Sequence, residues 1–457
     1  MSPELVSILV LVAMFVLATV LPISIGIMAF VAAFVVGLVF TDMDGEAILE
    51  GGFPDELAVT LIGITLLFAM AQNNGTIDWL VRVAVGMVRG RLVAIPWVMF
   101  AMTGVLTAFG AVSPAAVAII APVALGFAYR YQINPLLMGI MVVHGAQAGG
   151  FSPISIYGTI TNEVVRSAEL PGSPLALFLS SLLFNLAIAV VGFVIFGGIG
   201  LLRRRTDPRD WEDEGRAETG ADERAGAEGR SGGIESESGG TQSEAGGTAT
   251  KTGATTTLAP TPYQLVTLIG LLGLGVVTLF YELDVGLSAL AVALVLALIS
   301  PRSQKSAVQH ISWPVVLLIA GVLTYVFVLE ELGTVDYAAN AVLGVGAPLL
   351  AALLLCYVGG IVSAFASSTA LLPVIIPLAV PLLESGDVSV VGMIAALAVS
   401  TTVVDVSPFS TNGAIVLANS KEEDQDWVYK TLLVFGFSVV AAAPLIAWAV
   451  MVVPGWL

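Results

Sequence analysis

Long apolar runs alternate with short polar connections along this chain. There are fourteen such runs, seven on each side of one long hydrophilic stretch. They lie at about 5–20, 22–40, 57–74, 92–112, 114–129, 135–160 and 175–201, and then at about 263–281, 286–300, 313–329, 347–366, 369–383, 388–418 and 428–453. Most of them approach or exceed the roughly 20 residues that a helix needs to cross a bilayer. Only 11% of the residues are charged, against about 25% in a typical soluble domain. The pattern predicts an all-α polytopic membrane protein.

The hydrophilic stretch at 203–260 divides the chain into two halves. It consists mainly of Gly, Ser, Thr, Ala and acidic residues, which could hardly form a core. We expect a disordered, solvated linker, with a regulatory or partner-binding segment as the alternative. Of the 34 acidic residues, 12 lie between Asp207 and Glu244, so the net charge of -17 does not indicate an acidic soluble protein. The predicted units are a first transmembrane repeat at 1–202, the linker, and a second repeat at 261–457.

Lys and Arg positions predict which side of the membrane each connection faces. With the N-terminus outside, 16 of the 17 basic residues lie on the cytoplasmic side and only Arg166 lies outside. The acidic connections at 41–52 and 329–337 then face out, the linker is cytoplasmic and the C-terminus is outside. We expect a multi-pass protein of the cytoplasmic (inner) membrane. Because each half has an odd number of runs, the second half enters the membrane from the opposite face, which predicts inverted repeats.

Three short motifs recur between the halves at nearly one offset. The matched pairs are 75–79 with 333–337, 258 positions apart, and 113–116 with 368–371 and 151–155 with 406–410, each 255 positions apart. The last two pairs contain helix breakers, since proline cannot continue a helix and disfavours helical geometry in the residue before it. At membrane depth, irregular backbone is tolerated only where it is buried in protein or lines a cavity. Two interruptions per half at matched positions therefore predict one central site.

The first kind of interruption is an uncharged tip between two apolar runs. One tip lies at 110–114 and its counterpart at 366–369. A solvated loop would normally be more polar, so each pair of runs is predicted to be a re-entrant hairpin that ends inside the membrane. Two ordinary crossings joined by a tight turn are the alternative, and the distribution of charge does not separate the two.

The second kind of interruption is a Ser-Pro break inside the runs 135–160 and 388–418, which are predicted to be discontinuous helices. The first helical turn after each break and each tip exposes unpaired N–H groups, which attract anions together with the positive end of the helix dipole. No Lys or Arg lies near either break. The predicted substrate-binding residues are Ser113, Pro114, Ser152, Pro153, Ser155, Ser368, Thr369, Ser407, Pro408, Ser410 and Thr411. Alternatively, these Ser and Thr residues only satisfy local backbone groups and pack helices closely.

Asp405 and His144 are ionisable residues at predicted membrane depth, where charge is costly and commonly functional. Asp405 directly precedes the second break, at the position matched by Gly150 in the first half. A carboxylate there would repel a dianion, so we expect Asp405 to bind a coupling cation or carry a proton, with a helix cap as the alternative. His144 could carry a proton near neutral pH, or could be a buried, neutral, hydrogen-bonded side chain. Ser367 completes the residues predicted to hold the coupling ion.

The opening LVSILVLVAMFVLATVLPISIGIMAF and the segments SPISIYG and VSPFSTNG resemble MatC-type malonate/dicarboxylate carriers, within the divalent-anion/sodium symporters of the ion transporter superfamily. The resemblance spans the chain apart from the linker and implies an elevator-type carrier, usually a homodimer. It also implies a Ser-Asn-Thr signature at the hairpin tips and a Thr-Pro-like one at the breaks. These signatures map onto Val112-Ser113-Pro114, Ser367-Ser368-Thr369, Ser152-Pro153 and Ser407-Pro408. Both signature asparagines are serines here. Coupling to a sodium ion near Ser113 and Ser368 and coupling to a proton are therefore both left as alternatives.

Taken together, these patterns favour a cation-coupled secondary transporter of a small dicarboxylate anion, malonate or a C4-dicarboxylate. Its expected partners are that anion and the lipid bilayer, with no nucleic acid and no cofactor beyond a coupling sodium ion or proton. The alternative is a cation/proton antiporter of the same fold superfamily with Asp405 as the exchanging carboxylate. The chain has no HExxH motif, no paired Asp motifs and no serine nucleophile with a general base, so we predict that it is not an enzyme. A channel would not need matched broken helices in both halves.

Overall fold

The structure is a computed structural model. It describes residues 2–21, 23–86, 91–202, 204, 259–281, 283–335, 337, 347–364 and 368–455. Most of the predicted linker, and Ser367 at the second hairpin tip, lie outside the described residues.

Helices account for most of the described chain on both sides of the predicted linker. Before the linker they are α1 Pro3–Val20, α2 Ile25–Phe40, α3 Gly45–Gly52, α4 Asp55–Asn73, α5 Thr76–Gly86, α6 Ala94–Ala108, α7 Ser113–Arg130, α8 Pro135–Gly149, α9 Ile156–Ser167, α10 Pro174–Ile195 and α11 Gly198–Leu201. After it they are α12 Pro262–Tyr281, α13 Val285–Ile299, α14 Pro301–Gln309, α15 Trp313–Glu331, α16 Pro348–Ser363, α17 Ser368–Glu384, α18 Val390–Thr402, α19 Thr411–Ala418 and α20 Glu422–Ala447. A 3₁₀ turn, Val403–Val406, follows α18, and a π-helical turn, Trp448–Val452, follows α20.

Several helices begin with local capping chemistry that the sequence shows directly. The side chains of Asn134 and Ser173 accept hydrogen bonds from backbone N–H groups in the first turns of α8 and α10. Pro135 and Pro174 follow at the first helical position, where the missing N–H removes no helical hydrogen bond. Cap and proline together fix where each of these helices starts.

By length and composition, six helical stretches in the described chain can cross a membrane. They are Asp55–Asn73, Ser113–Arg130, Pro174–Ile195, Trp313–Glu331, Val390–Ala418 and Glu422–Val452, and shorter apolar helices accompany them. Large apolar side chains are exposed along α1, α2, α12 and α13, as lipid-facing helices require. The prediction of an all-helical, multi-pass membrane protein is confirmed for the described residues, which contain no β-strand.

The helices pack as two bundles, and each bundle draws on both halves of the chain. The first bundle contains α1–α4 and α12–α15; in it α2 packs on α15 and α4 packs on α13. The second bundle contains α6–α10 and α16–α20; in it α8 packs against α6, α7 and α10, and α18 packs against α16. The bundles meet mainly where α15 packs on α17 and where α4 packs on α9.

Two glycine contacts bring the halves together inside the first bundle. A Cβ on Gly321 of α15 would lie 2.1 Å from the carbonyl oxygen of Gly26 in α2. A Cβ on Gly63 of α4 would lie 2.6 Å from the carbonyl oxygen of Gly286 in α13. Gly26 and Gly286 are each the second residue of their helix, and Gly63 and Gly321 are each the ninth. Each half therefore packs on the other through the same two helix positions, at backbone contact distance.

Candidate functional site

The first break lies between α8 and α9 and is closed by a serine. Ser155 Oγ accepts a hydrogen bond from the Gly158 backbone N–H at 3.2 Å. The same hydroxyl donates to the Gly150 carbonyl oxygen at 2.5 Å and lies 2.7 Å from the Ser152 carbonyl oxygen. Ser155 therefore caps α9 and at the same time satisfies carbonyl groups that the end of α8 leaves unpaired.

The second break, between α18 and α19, repeats this arrangement. Ser410 Oγ accepts from the Gly413 backbone N–H at 3.3 Å and donates to the Asp405 carbonyl oxygen at 2.5 Å, with the Ser407 carbonyl oxygen at 2.7 Å. A Cβ on Gly413 would lie 2.0 Å from the Ser407 carbonyl oxygen, and the equivalent glycine of the first break is equally crowded. Both breaks thus need a capping serine followed three residues later by glycine.

The second break directs the Asp405 carboxyl group towards two donors in other helices. Asp405 Oδ1 accepts a hydrogen bond from Ser368 Oγ at 2.7 Å, and Oδ2 accepts one from Gln147 Nε2 at 2.9 Å. All three side chains are buried. Ser368 is the first residue of α17 and Gln147 lies near the end of α8, so the carboxylate joins the second hairpin to the first half of the chain.

Ser113, the first residue of α7, forms the other side of this cluster. Its Oγ accepts a hydrogen bond from Asn412 Nδ2 at 2.9 Å and lies 3.4 Å from Gln147 Nε2. The buried Tyr157 hydroxyl interacts with the side chains of Ser113 and Thr369 and with the Asp405 carboxyl group. The central polar cluster is defined as Ser113, Gln147, Tyr157, Ser368, Thr369, Asp405 and Asn412.

Two helix N-termini end at the central polar cluster, because Ser113 and Ser368 begin α7 and α17. Their dipoles place partial positive charge there, and hydroxyl and amide groups add hydrogen-bond donors. Within the described ranges, the cluster contains one carboxylate and no Lys or Arg. It can therefore hold an anion by dipoles and hydrogen bonds.

Two buried amide oxygens of the cluster have no hydrogen-bond partner in the part of the chain that the structure describes: Gln147 Oε1 and Asn412 Oδ1. Buried polar atoms are normally paired, so these oxygens need a donor or a cation. The serine oxygens near which a sodium ion was expected are already engaged, Ser113 Oγ with Asn412 and Ser368 Oγ with Asp405. An unpartnered amide oxygen can accept a hydrogen bond from a bound group or ligate a small hard cation.

His144 lies about one turn before Gln147 on α8, but its hydrogen bond is to a residue outside the cluster. Its Nδ1 is 2.9 Å from Asn185 Oδ1 on α10. Asn185 Nδ2 donates to the Ser181 carbonyl oxygen at 3.0 Å, so Asn185 Oδ1 is the acceptor and His144 Nδ1 carries the proton. His144 Nε2 is buried without a partner, and the ring packs edge-to-face with Phe435. This geometry fits the neutral, hydrogen-bonded interpretation, and the role of His144 as a proton carrier stays a prediction.

Of the residues predicted to bind substrate, the structure brings Ser113, Ser368 and Thr369 together. Others have backbone partners. Ser155 and Ser410 cap their breaks, and Ser407 Oγ accepts from the Phe409 N–H at 3.2 Å, whereas Ser152 Oγ donates to the Ala108 carbonyl oxygen at the end of α6 at 2.6 Å. Thr411 is exposed. Pro114 occupies the first turn of α7, while Pro153 and Pro408 lie in the break loops. Substrate binding by any of these residues remains a prediction.

Sequence reasoning missed Gln147, Tyr157 and Asn412. Tyr157 and Asn412 each stand two positions after the capping serine of their break, so the internal repeat carried a signal for both. Gln147 is an amide inside an apolar run, shortly before the first break. A search for uncharged polar residues within one turn of each break would have found all three.

A cavity of about 740 Å³ lies between the bundles, lined by the ends of α4, α9, α15 and α17. Its acidic lining residues are Glu50, Asp55, Glu56, Glu163, Glu330 and Glu384. Arg166 of α9 forms ion pairs with Glu56 of α4 and, at 2.9 Å, with Glu163 of its own helix. Arg166 therefore joins the two bundles at the rim of an acidic cavity.

The described chain is thus all-helical, with six stretches that can cross a membrane and a buried polar cluster between broken helices. Residues 1–150 match the family model described as the dicarboxylate carrier protein MatC N-terminus. The match confirms the resemblance to MatC-type carriers, and a carrier family implies a transporter rather than an enzyme. A comparison with curated proteins gives no match.

Proposed function

We propose that the protein is a secondary active carrier of a small dicarboxylate anion, malonate or a C4-dicarboxylate, coupled to a cation. The observation that carries this proposal is the central polar cluster, which joins both halves at the N-termini of α7 and α17. Carboxylate groups accept hydrogen bonds from hydroxyl, amide and backbone N–H donors, and the cluster contains all three kinds. Without a lysine or arginine in the described cluster, the anion would be held only by dipoles and hydrogen bonds, which suits release as well as binding.

Cation coupling follows from the charge of Asp405. The carboxylate is buried, and its hydrogen-bond partners Ser368 and Gln147 are uncharged. An uncompensated buried charge is strongly unfavourable, and a dianion beside it would add repulsion between like charges. A sodium ion or a proton at Asp405 removes both penalties, so we assign Asp405 to the coupling ion, with Ser367 and His144 as further candidates.

Elevator-type movement is the transport mechanism that we infer. The second bundle contains the whole central polar cluster, and large apolar side chains are exposed on both bundles. Since the bundles touch mainly through α15 on α17 and α4 on α9, the second bundle could slide along the first as one body. The predicted inverted repeat would supply two related positions for that body. The resemblance adds a homodimer, and the distribution of Lys and Arg adds an inner-membrane topology with both termini outside.

Uptake of labelled malonate into proteoliposomes that hold the purified protein tests the proposal. Inward sodium and proton gradients are imposed separately and then omitted, and succinate and sulfate are added as competitors. We expect uptake that malonate or succinate competes with best and that one gradient accelerates. Folded protein without uptake under every gradient would contradict a dicarboxylate carrier.

A cation/proton antiporter is the second candidate, because Asp405 is a buried carboxylate without a cationic partner among the described residues. An antiporter would move protons against a cation in liposomes that contain no dicarboxylate. Proton movement that requires the dicarboxylate would instead support the carrier.

A further inference from the structure

The Gln147 side chain links the coupling carboxylate to the first hairpin. Its Nε2 donates to Asp405 Oδ2 at 2.9 Å and lies 3.4 Å from Ser113 Oγ. Its Oε1 is buried and has no partner within the described ranges. The NH₂ end of the amide therefore has hydrogen-bond partners, whereas the oxygen end has none and can accept a hydrogen bond.

The charge of Asp405 decides which end of the amide faces it. An ionised carboxylate only accepts hydrogen bonds, so the NH₂ group of Gln147 must face Asp405. Once a cation neutralises Asp405, the preference reverses: a proton on the carboxyl group, or a sodium ion against it, attracts the amide oxygen. Rotation of the amide by half a turn then brings Oε1 to Asp405 and moves the NH₂ group to the position that Oε1 now occupies.

This rotation would change what the cluster offers to an anion. With Asp405 charged, the unpartnered position holds an oxygen, which repels a carboxylate. With Asp405 neutralised, it holds an N–H donor, which binds one. The Asn412 amide can rotate in the same way. Its Nδ2 now donates to Ser113 Oγ and its Oδ1 is unpartnered, and because a hydroxyl group can either accept or donate, Ser113 can bond to either end of that amide.

We propose that Gln147 is a positioning residue that converts neutralisation of Asp405 into a hydrogen-bond donor for the transported anion. The inference rests on the proposed function, since it explains how cation and anion binding at the central polar cluster depend on each other. Asp405 is faced by Gln147 from α8, Ser368 from α17 and Tyr157 from α9. Of these groups only Tyr157 is titratable; His144, further back on α8, is bonded to Asn185 instead.

The test is binding of labelled malonate and succinate to the purified full-length protein, without transport. Affinity is measured at low and high sodium, and separately at low and high proton concentration, so that the two cations are distinguished. The variants are Gln147→Leu and, as a second substitution of similar volume, Gln147→Met. Gln264→Leu is the matched control, because Gln264 is a buried amide of α12 that bonds to the Gly75 carbonyl oxygen, outside the cluster.

In the unmodified protein and in Gln264→Leu, we expect the effective cation to tighten anion binding by about 5–150-fold, the usual range for coupled sites. In both Gln147 variants that factor should fall towards one. Stabilisation by the cation alone, measured as a thermal shift without anion, should persist, because Asp405 is intact.

Three results would contradict the proposed role of Gln147. A Gln147 variant that keeps the full cation effect on anion affinity would overturn the switch but leave the carrier in place. Loss of the thermal shift by cation in the Gln147 variants would make Gln147 part of the cation site and likewise overturn it. An unmodified protein that binds neither malonate nor succinate under any condition would overturn the carrier and the switch together.

Discussion

Gly413→Ala tests whether the geometry of the second break is required. The added Cβ would lie 2.0 Å from the Ser407 carbonyl oxygen, whereas ordinary contact begins at 3.4 Å, so the two must separate by about 1.4 Å. Overpacking of this kind typically costs about 1–3 kcal/mol. Ser407 directly follows the 3₁₀ turn that contains Asp405, so displacement of Ser407 would also shift Asp405 relative to Gln147. We therefore expect a less stable protein that has also lost cation-coupled uptake.

The matched control is Gly126→Ala in α7, where the added Cβ would meet no atom within 4 Å apart from the nearby backbone of its own helix and its chain neighbours. Alanine is favoured over glycine inside a helix by about 1 kcal/mol, so this variant should be neutral or slightly more stable. Thermal unfolding of both purified variants, followed by uptake in proteoliposomes, gives the comparison. If Gly413→Ala unfolds and transports as Gly126→Ala does, the break does not depend on close approach at Gly413.

Three further predictions concern single contacts. Ser410→Ala removes the acceptor for one N–H group and the donor to the Asp405 carbonyl oxygen, and should cost about 1–3 kcal/mol in thermal unfolding, with Ser410→Thr as the tolerated control. Arg166→Gln breaks an exposed ion pair with Glu56, so stability should change by less than about 1 kcal/mol, and a larger change or one insensitive to salt would contradict this. His144→Asn keeps an N–H group for Asn185 and should leave the pH profile of uptake unchanged; a flattened profile would make His144 a proton carrier.

The sequence predicted the helical architecture well because apolar length and helix breakers are local signals. The runs at 135–160 and 388–418 break where their Ser-Pro motifs stand. The predicted end of the first run at residue 160 is nevertheless too early, since α9 continues through polar residues to Ser167. A new cap at Ser155 starts an amphipathic helix there, and apolar periodicity alone does not record that restart.

The central polar cluster was only partly predictable. Asp405 and the hairpin serines stood out because polar groups beside helix breakers are rare in apolar runs. Their partners did not, since the hydrogen bond between Gln147 and Asp405 joins residues 258 positions apart. Nothing local distinguishes a glutamine that reaches a carboxylate from one that satisfies its own helix, so that pairing required the fold.

The glycine contacts of the first bundle bear on how the protein is made. During synthesis α2 enters the bilayer long before α15, and α4 before α13. Until the second half emerges, Gly26 and Gly63 lack the helices that they contact in the folded protein, α15 and α13. We therefore expect the first bundle to complete its packing only after the second half has been inserted. Two separately expressed halves, cut within the linker, should still find each other and restore the carrier.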